Sequence, residues 1–397
     1  MAGNTYLSEM RAEDILMPTP AGVLCERGGF TIDPTRPVER ALITHGHSDH
    51  ARAGHRAVLA TQETLDLMRI RYGDNFAGAA QAVSYGETLS LGDVAVTFHP
   101  AGHVLGSAQI AVACNGLRVV ASGDYKDAAD PTCAPFETVP CDVFITEATF
   151  GLPVFRHGDA AGEIAKLMHS VALFPERAHL VGAYSLGKAQ RVIAMLRRQG
   201  YDAPVYLHGA VESITAYYQS RGVALGEVRP VRLADRAKLG GSITICPPSA
   251  LNDLWARRFP DPVTCFASGW MRVRARARQH GVALPLVISD HADWDGLTAT
   301  IAATGASDIW VTHGQEDALV HWATARGLNA RPLAIVGYGD EEDGETSQPA
   351  PSPLEGEGRG GGSMGETERE DLPPSRPPSP AAMAVDLPHK GGGEEKK

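Results

Sequence analysis

Residues 41–50 read ALITHGHSDH, three histidines and an aspartate within six positions, directly after a short apolar run. Ala41, Leu42 and Ile43 have the composition of a buried strand, so His45, His47, Asp49 and His50 stand just past a strand end. A divalent ion needs several converging N/O donors, and a strand end holds them more firmly than a surface loop does. In an extended segment side chains alternate, so His45, His47 and Asp49 point one way and His50 turns to the other. One loop then serves two neighbouring ions, His45 with His47 at the first and Asp49 with His50 at the second. Imidazole and carboxylate donors favour zinc or manganese over calcium. Any one of these histidines alone reads as a core or surface residue; the density of the group does not.

The same arrangement, a strand followed by a histidine or an acid, recurs along the chain. His103 lies in FHPAGHVLGSA, where Gly102 and Gly106 leave room for close approach. Asp124 ends RVVASGD, where a carboxylate can bridge two ions. Asp33 follows GGFTI, Glu147 follows VFIT, His291 follows LVISD and His313 follows IWVT. Core packing does not generate this repetition. His99, His157, His169, His179, His208, His280 and His321 lack that context and read as structural.

With 397 residues and 43% apolar content, the chain is long enough for two domains or one large layered core. Its amino-terminal residues are polar and interrupted by proline, and no apolar run approaches membrane-spanning length. The expectation is a cytoplasmic protein without a membrane partner. Six scattered cysteines without a CxxC pair read as reduced, mostly buried thiols. The net charge of −11 is uneven: residues 341–397 carry 13 acidic and 6 basic side chains, leaving 34 against 30 in residues 1–340. Net charge therefore does not exclude nucleic acid; local charge decides.

From about residue 340 the composition turns to Gly, Pro, Ser and Glu, which predicts a disordered tail with no part in catalysis. Before it, VAVTFHP, AQIAVAC, LRVVASGD and DVFITEA read as strands and GKAQRVIAMLRRQG as a helix. From about Val181 a βαβ rhythm predicts an inserted, mostly parallel α/β unit.

The ordered donor set resembles the metallo-β-lactamase superfamily and, within it, the β-CASP nuclease branch. PTPAGVLC, PAGHVLGSAQ, SGDYKDAADPTCAPFE, TFGLPVF, YSLGKAQR and FASGWM look closest to bacterial ligase-associated DNA exonucleases, a likeness covering about residues 13–340. Departures within the motifs are slight: Gly46 and Ser48 fill variable slots, and Ala148 stands where Ser is more usual. The resemblance implies an α/β fold, a metallo-β-lactamase αββα sandwich in residues 1–170 and 286–340. It also implies an inserted β-CASP α/β cap in residues 171–285, with residues 341–397 as the tail. It implies two metal ions, one held by His45, His47, His103 and Asp124, the other by Asp49, His50, Asp124 and His313. Asp33 and Glu147 would orient histidines by hydrogen bonding, and His291 would protonate the leaving 3′ oxygen with Glu147 holding its ring. Products would carry 5′-phosphates. The implied activity is DNA exonuclease action in repair, with a functional link to an ATP-dependent DNA ligase and a helicase.

For the substrate, Ser185, Lys188 and Arg191 would supply a helix N-terminus and charge; a solvated amphipathic helix is the plainer account. Arg272, Arg274, Arg276 and Arg278 alternate strictly, making one cationic edge if extended and a scattered solvated face if helical. Trp270 stacks a base or closes the core. An RNA-processing β-CASP ribonuclease shares all this chemistry. A small-ester hydrolase is disfavoured by the cap and the late His291 and His313. A non-catalytic scaffold is disfavoured because it has no need of Asp49 and His291.

Overall fold

The computed structural model describes residues 10–234 and 239–333. The expected tail, residues 341–397, lies outside the described residues. Among the described residues, three sheets and seven α-helices make a mixed α/β protein, as the alternation of strand and helix signals leads one to expect.

The first sheet takes its six strands in chain order, from Met17–Thr19 to Ala77–Ala82. It starts as an antiparallel meander and continues in parallel through Phe30–Ile32, Arg40–Leu42 and His55–Ala60. In the second, Thr88–Leu91, Val94–Pro100, Ala108–Cys114 and Leu117–Ala121 form an antiparallel meander. Val143–Ala148, Asp308–Gly314 and Asn329–Pro332 extend it in parallel.

Alternation along the strands explains the layering. Leu42, Val119, Ala121 and Ile145 join Phe98, Val112 and Trp310 in a core between the two sheets. Their neighbours face outward. Ala41 and Ile43 pack with Leu65 and Met68 of the helix Gln62–Tyr72. Val120 and Phe144 pack with Leu297 and Ile301 of Trp294–Thr304 and with Leu319 of Glu316–Thr324. The period of two thus divides each strand between two cores.

The third sheet is parallel throughout, its strands running from His179–Gly182 to Leu284–Leu286 in the chain. Parallel neighbours need crossovers, supplied by Lys188–Arg198 and Gly209–Ser220 among others. Both faces are covered, so its inner strands are almost wholly buried. Its core includes Leu67 and Leu186, which join this unit to the helix Gln62–Tyr72. No described helix is long and apolar enough to cross a membrane.

Candidate metal centre

The loop after Arg40–Leu42 is not extended. It turns, with the His50 and Ala51 amides donating to the His47 carbonyl at 3.2 and 2.7 Å. The simple alternation expected from sequence therefore fails beyond His47, and the turn itself gathers the donors. Asp33 anchors it: the carboxylate accepts the Thr44 amide at 2.8 Å, the Thr44 hydroxyl, and His50 Nδ1–H at 2.8 Å. Asp33 is buried and holds a positive φ of 43°.

Hydrogen bonds fix which ring nitrogens face inward. The Thr44 hydroxyl gives its proton to Asp33, so its oxygen accepts from His45 Nδ1 at 3.0 Å. His47 Nε2 donates to the Leu186 carbonyl at 3.2 Å, and His103 Nδ1 to the Asp290 carbonyl at 2.9 Å. In neutral imidazoles the other nitrogens then present lone pairs. Those nitrogens meet: His47 Nδ1 lies 3.1 Å from His45 Nε2 and 3.0 Å from His103 Nε2. Asp124 Oδ2 completes the group, 3.4 Å from His45 and 3.8 Å from His103. Three lone pairs and a carboxylate converging in a buried space repel unless a cation lies among them. Such a donor set could hold a metal ion. Burial, then the neighbouring imidazoles, push His45 well below its ordinary value, keeping it a neutral donor.

A second group adjoins the first. Asp49, His50 and His313 bring donor atoms within 4.8 Å of one another. His50 Nε2 lies 3.6 Å from Asp49 and 3.5 Å from Asp124, so Asp124 touches both groups. The His50 and His313 rings stack at 4.8 Å. His313 reaches this place from a φ of 56° near a register shift opposite Glu147 and Ala148. Without an ion, burial opposes protonation of His50, but Asp124, Asp49 and Asp33 outweigh it and push the ring up to about 10. Burial raises Asp124 well above the carboxylate range, with His50 opposing. The raised His50 reflects a carboxylate-rich pocket that a cation would complement.

Beside these groups, His291 Nδ1 meets Glu147 Oε2 at 2.9 Å, and Glu147 Oε1 accepts the Tyr125 amide at 2.7 Å. The carboxylate fixes the tautomer and turns His291 Nε2 toward the donors, its ring 4.5 Å from that of His103. The Lys126 ammonium holds the His291 carbonyl at 3.1 Å, and Ser289 Oγ accepts its amide at 3.0 Å.

The structure thus brings together Asp33, His45, His47, Asp49, His50, His103, Asp124, Glu147, His291 and His313. Of the expected nucleic-acid contacts, Arg272 and Arg274 are exposed and Ser185 and Arg276 half-buried, whereas Lys188 and Arg191 are buried. Lys188 is 2% exposed and lies 2.7 Å from Asp290; Arg191 is buried 2.5 Å from Asp130. Both charges are spent inside the protein, which corrects the expectation of a cationic helix start. The helix begins after Gly187, and the Ser185 carbonyl accepts from Gln190. The alternating arginines are helical, Arg272 ending a 3₁₀ turn and Arg274–Gln279 forming an α-helix. The single cationic edge is therefore absent. Arg276 lies over the Trp270 ring at 4.0 Å, and Trp270 packs against Phe150 and Phe155 in the core.

Sequence reading missed Lys126 and Asp290; His157, read there as structural, lies beside Lys126. His157 and Lys126 line a cleft of about 370 Å³ with Arg191, Arg198 and Ser289. The one available signal for Asp290 was its place beside His291.

No family model matches the chain. It is 29% identical to a protein named "Probable DNA ligase" from Opitutus terrae over 315 residues, 78% of this chain and 30% of the relative. An RNase J-like protein from Methanocaldococcus jannaschii is 25% identical over 47% of this chain and 51% of its own length. A ribonuclease from Thermus thermophilus is 29% identical over 45% of this chain and 48% of its own. The matched regions span between about a third and a half of these relatives. The chain is thus similar to proteins named as a ligase and as ribonucleases, and its buried His and Asp groups could hold metal.

Proposed function

We propose that the chain is a two-metal phosphodiesterase that degrades DNA from an end, working in repair beside a ligase and a helicase. The observation that carries this reading is the convergence of three imidazole lone pairs and Asp124 next to the Glu147–His291 pair. His45, His47, His103 and Asp124 would hold one ion, and Asp49, His50, Asp124 and His313 the other. Bound ions supply Lewis acidity and a water acidic enough to ionise near neutral pH. Asp33 keeps the His50 ring turned to its site, and the Leu186 and Asp290 carbonyls do the same for His47 and His103. Glu147 holds the His291 ring through Nδ1, and His291 Nε2–H would be the donor for the departing 3′ oxygen. The product keeps its phosphate on the 5′ side.

We read the third sheet with its helices as the inserted cap, and the two facing sheets with their outer helices as the αββα sandwich. The long match to the ligase-named relative supports DNA; the ribonuclease-named relatives support RNA. Purified protein with Mn²⁺ or Zn²⁺, given end-labelled single-stranded DNA, duplex DNA and RNA in parallel, decides between them. Preference for RNA, or cleavage of a circular substrate, sinks the DNA exonuclease reading.

A further inference from the structure

Lys188 opens the helix Lys188–Arg198, yet its side chain points inward, with Nζ 2.7 Å from Asp290 Oδ1 and 4.9 Å from the centre of the Tyr184 ring. Gly187 makes the approach possible. Its φ is 85°, and a Cβ there would stand 2.3 Å from Val104, next to His103. The Asp290 side chain is 1% exposed. Its main-chain carbonyl accepts His103 Nδ1–H at 2.9 Å, and its carboxylate lies 3.9 Å from His291 Nε2. His103, Asp290 and His291 have donor atoms within 4.8 Å of one another; at Asp290 the cation in place is the Lys188 ammonium.

An ammonium this deeply buried does not serve a strand arriving from solvent. Desolvating both charges offsets much of their attraction, so such a pair is a weak source of stability, and its worth is sought in geometry. Here the geometry concerns Asp290, one residue before His291 and bonded to His103 through its main chain. We propose that Lys188 and Asp290 are positioning residues, an ion pair that locks the start of this helix onto the segment carrying His291. Docking of the helix then sets the proton donor and His103 in register. Leu186, two residues before Lys188, holds His47 by its carbonyl, so a single helix start steadies three rings. This inference rests on the phosphodiesterase reading for its effect on turnover, but not for its effect on His291.

The test compares Lys188→Met, Asp290→Asn and the double variant of the full chain. Three quantities are read: melting temperature, turnover and KM on end-labelled DNA with Mn²⁺, and nitrogen-15 histidine spectra of metal-free protein. Each single variant strands one buried charge and lowers both melting temperature and turnover, turnover by about 10- to 100-fold with KM little changed. The double variant, with no stranded charge, regains melting temperature but not turnover, and its His291 ring signals differ from wild type. If the singles do not fold, the double variant alone decides. Wild-type turnover or wild-type His291 signals in the double variant overturn the proposal. Should wild type cleave no nucleic acid at all, the phosphodiesterase reading falls, while the spectra still decide whether the pair positions His291.

Discussion

Two charged segments of this chain meet opposite fates. Residues 44–50 place three histidines and an aspartate against a buried pocket, whereas Arg274–Gln279 spreads its arginines over a short helix. The histidine loop is held at both ends. Before it, Arg40–Leu42 lies inside a sheet with alternate residues in two cores; within it, Asp33 and the His47 carbonyl tie down the turn. The arginine helix has one buried residue, Ala277, and one arginine stacked on Trp270. Dense functional groups make a site where the backbone is fixed and the buried charge is compensated; elsewhere they make a solvated surface.

The contrast is sharpest at Asp124, which touches both donor groups. Asp124→Ala should abolish cleavage and lower metal content together, checked by nuclease assay and elemental analysis; full activity would separate the loop from catalysis. His291→Ala should keep its metal and lose turnover by about 10²- to 10⁴-fold, the usual share of a general acid. Glu147→Gln, which weakens the hold on the His291 ring, should cost about 10- to 100-fold, with the alkaline limb of the pH–rate profile displaced to lower pH. A smaller effect concerns acid stability. Burial, then Lys126, push His157 down to about 3 against the pull of Asp293. The unfolded chain takes up this proton below about 6.5 and the folded one only near 3. Stability from this group is therefore complete above about 6.5 and falls as pH drops toward 3. Melting curves of metal-free protein should show His157→Gln losing less stability than wild type across that window. Arg274→Ala, at the other pole of the comparison, should change stability by no more than about 0.5 kcal/mol and leave DNA affinity at moderate salt nearly unaltered.

The strands Val94–Pro100 and Ala108–Cys114 coincide with VAVTFHP and AQIAVAC, because their burial follows the period that a sequence displays. The ten residues that the structure brings together could be picked out for the same reason, each lying at or soon after a strand. The turn that gathers His47 to His50 was not legible, since it depends on Asp33 eleven residues earlier than Thr44. Lys188 was misread as a surface cation because its partner, Asp290, is about a hundred residues away. The arginine segment carried a signal that alternation obscured: Ala and Arg are strong helix formers, and no β-branched residue lies between Arg274 and Gln279.

The direct test of the centre is its stoichiometry. Metal-free protein titrated with Zn²⁺ or Mn²⁺ in a calorimeter should bind two ions per chain, and Asp124→Ala should bind at most one, weakly. Two tight ions retained by Asp124→Ala, or none taken up by wild type, would contradict a paired metal centre built on the loop after Arg40–Leu42.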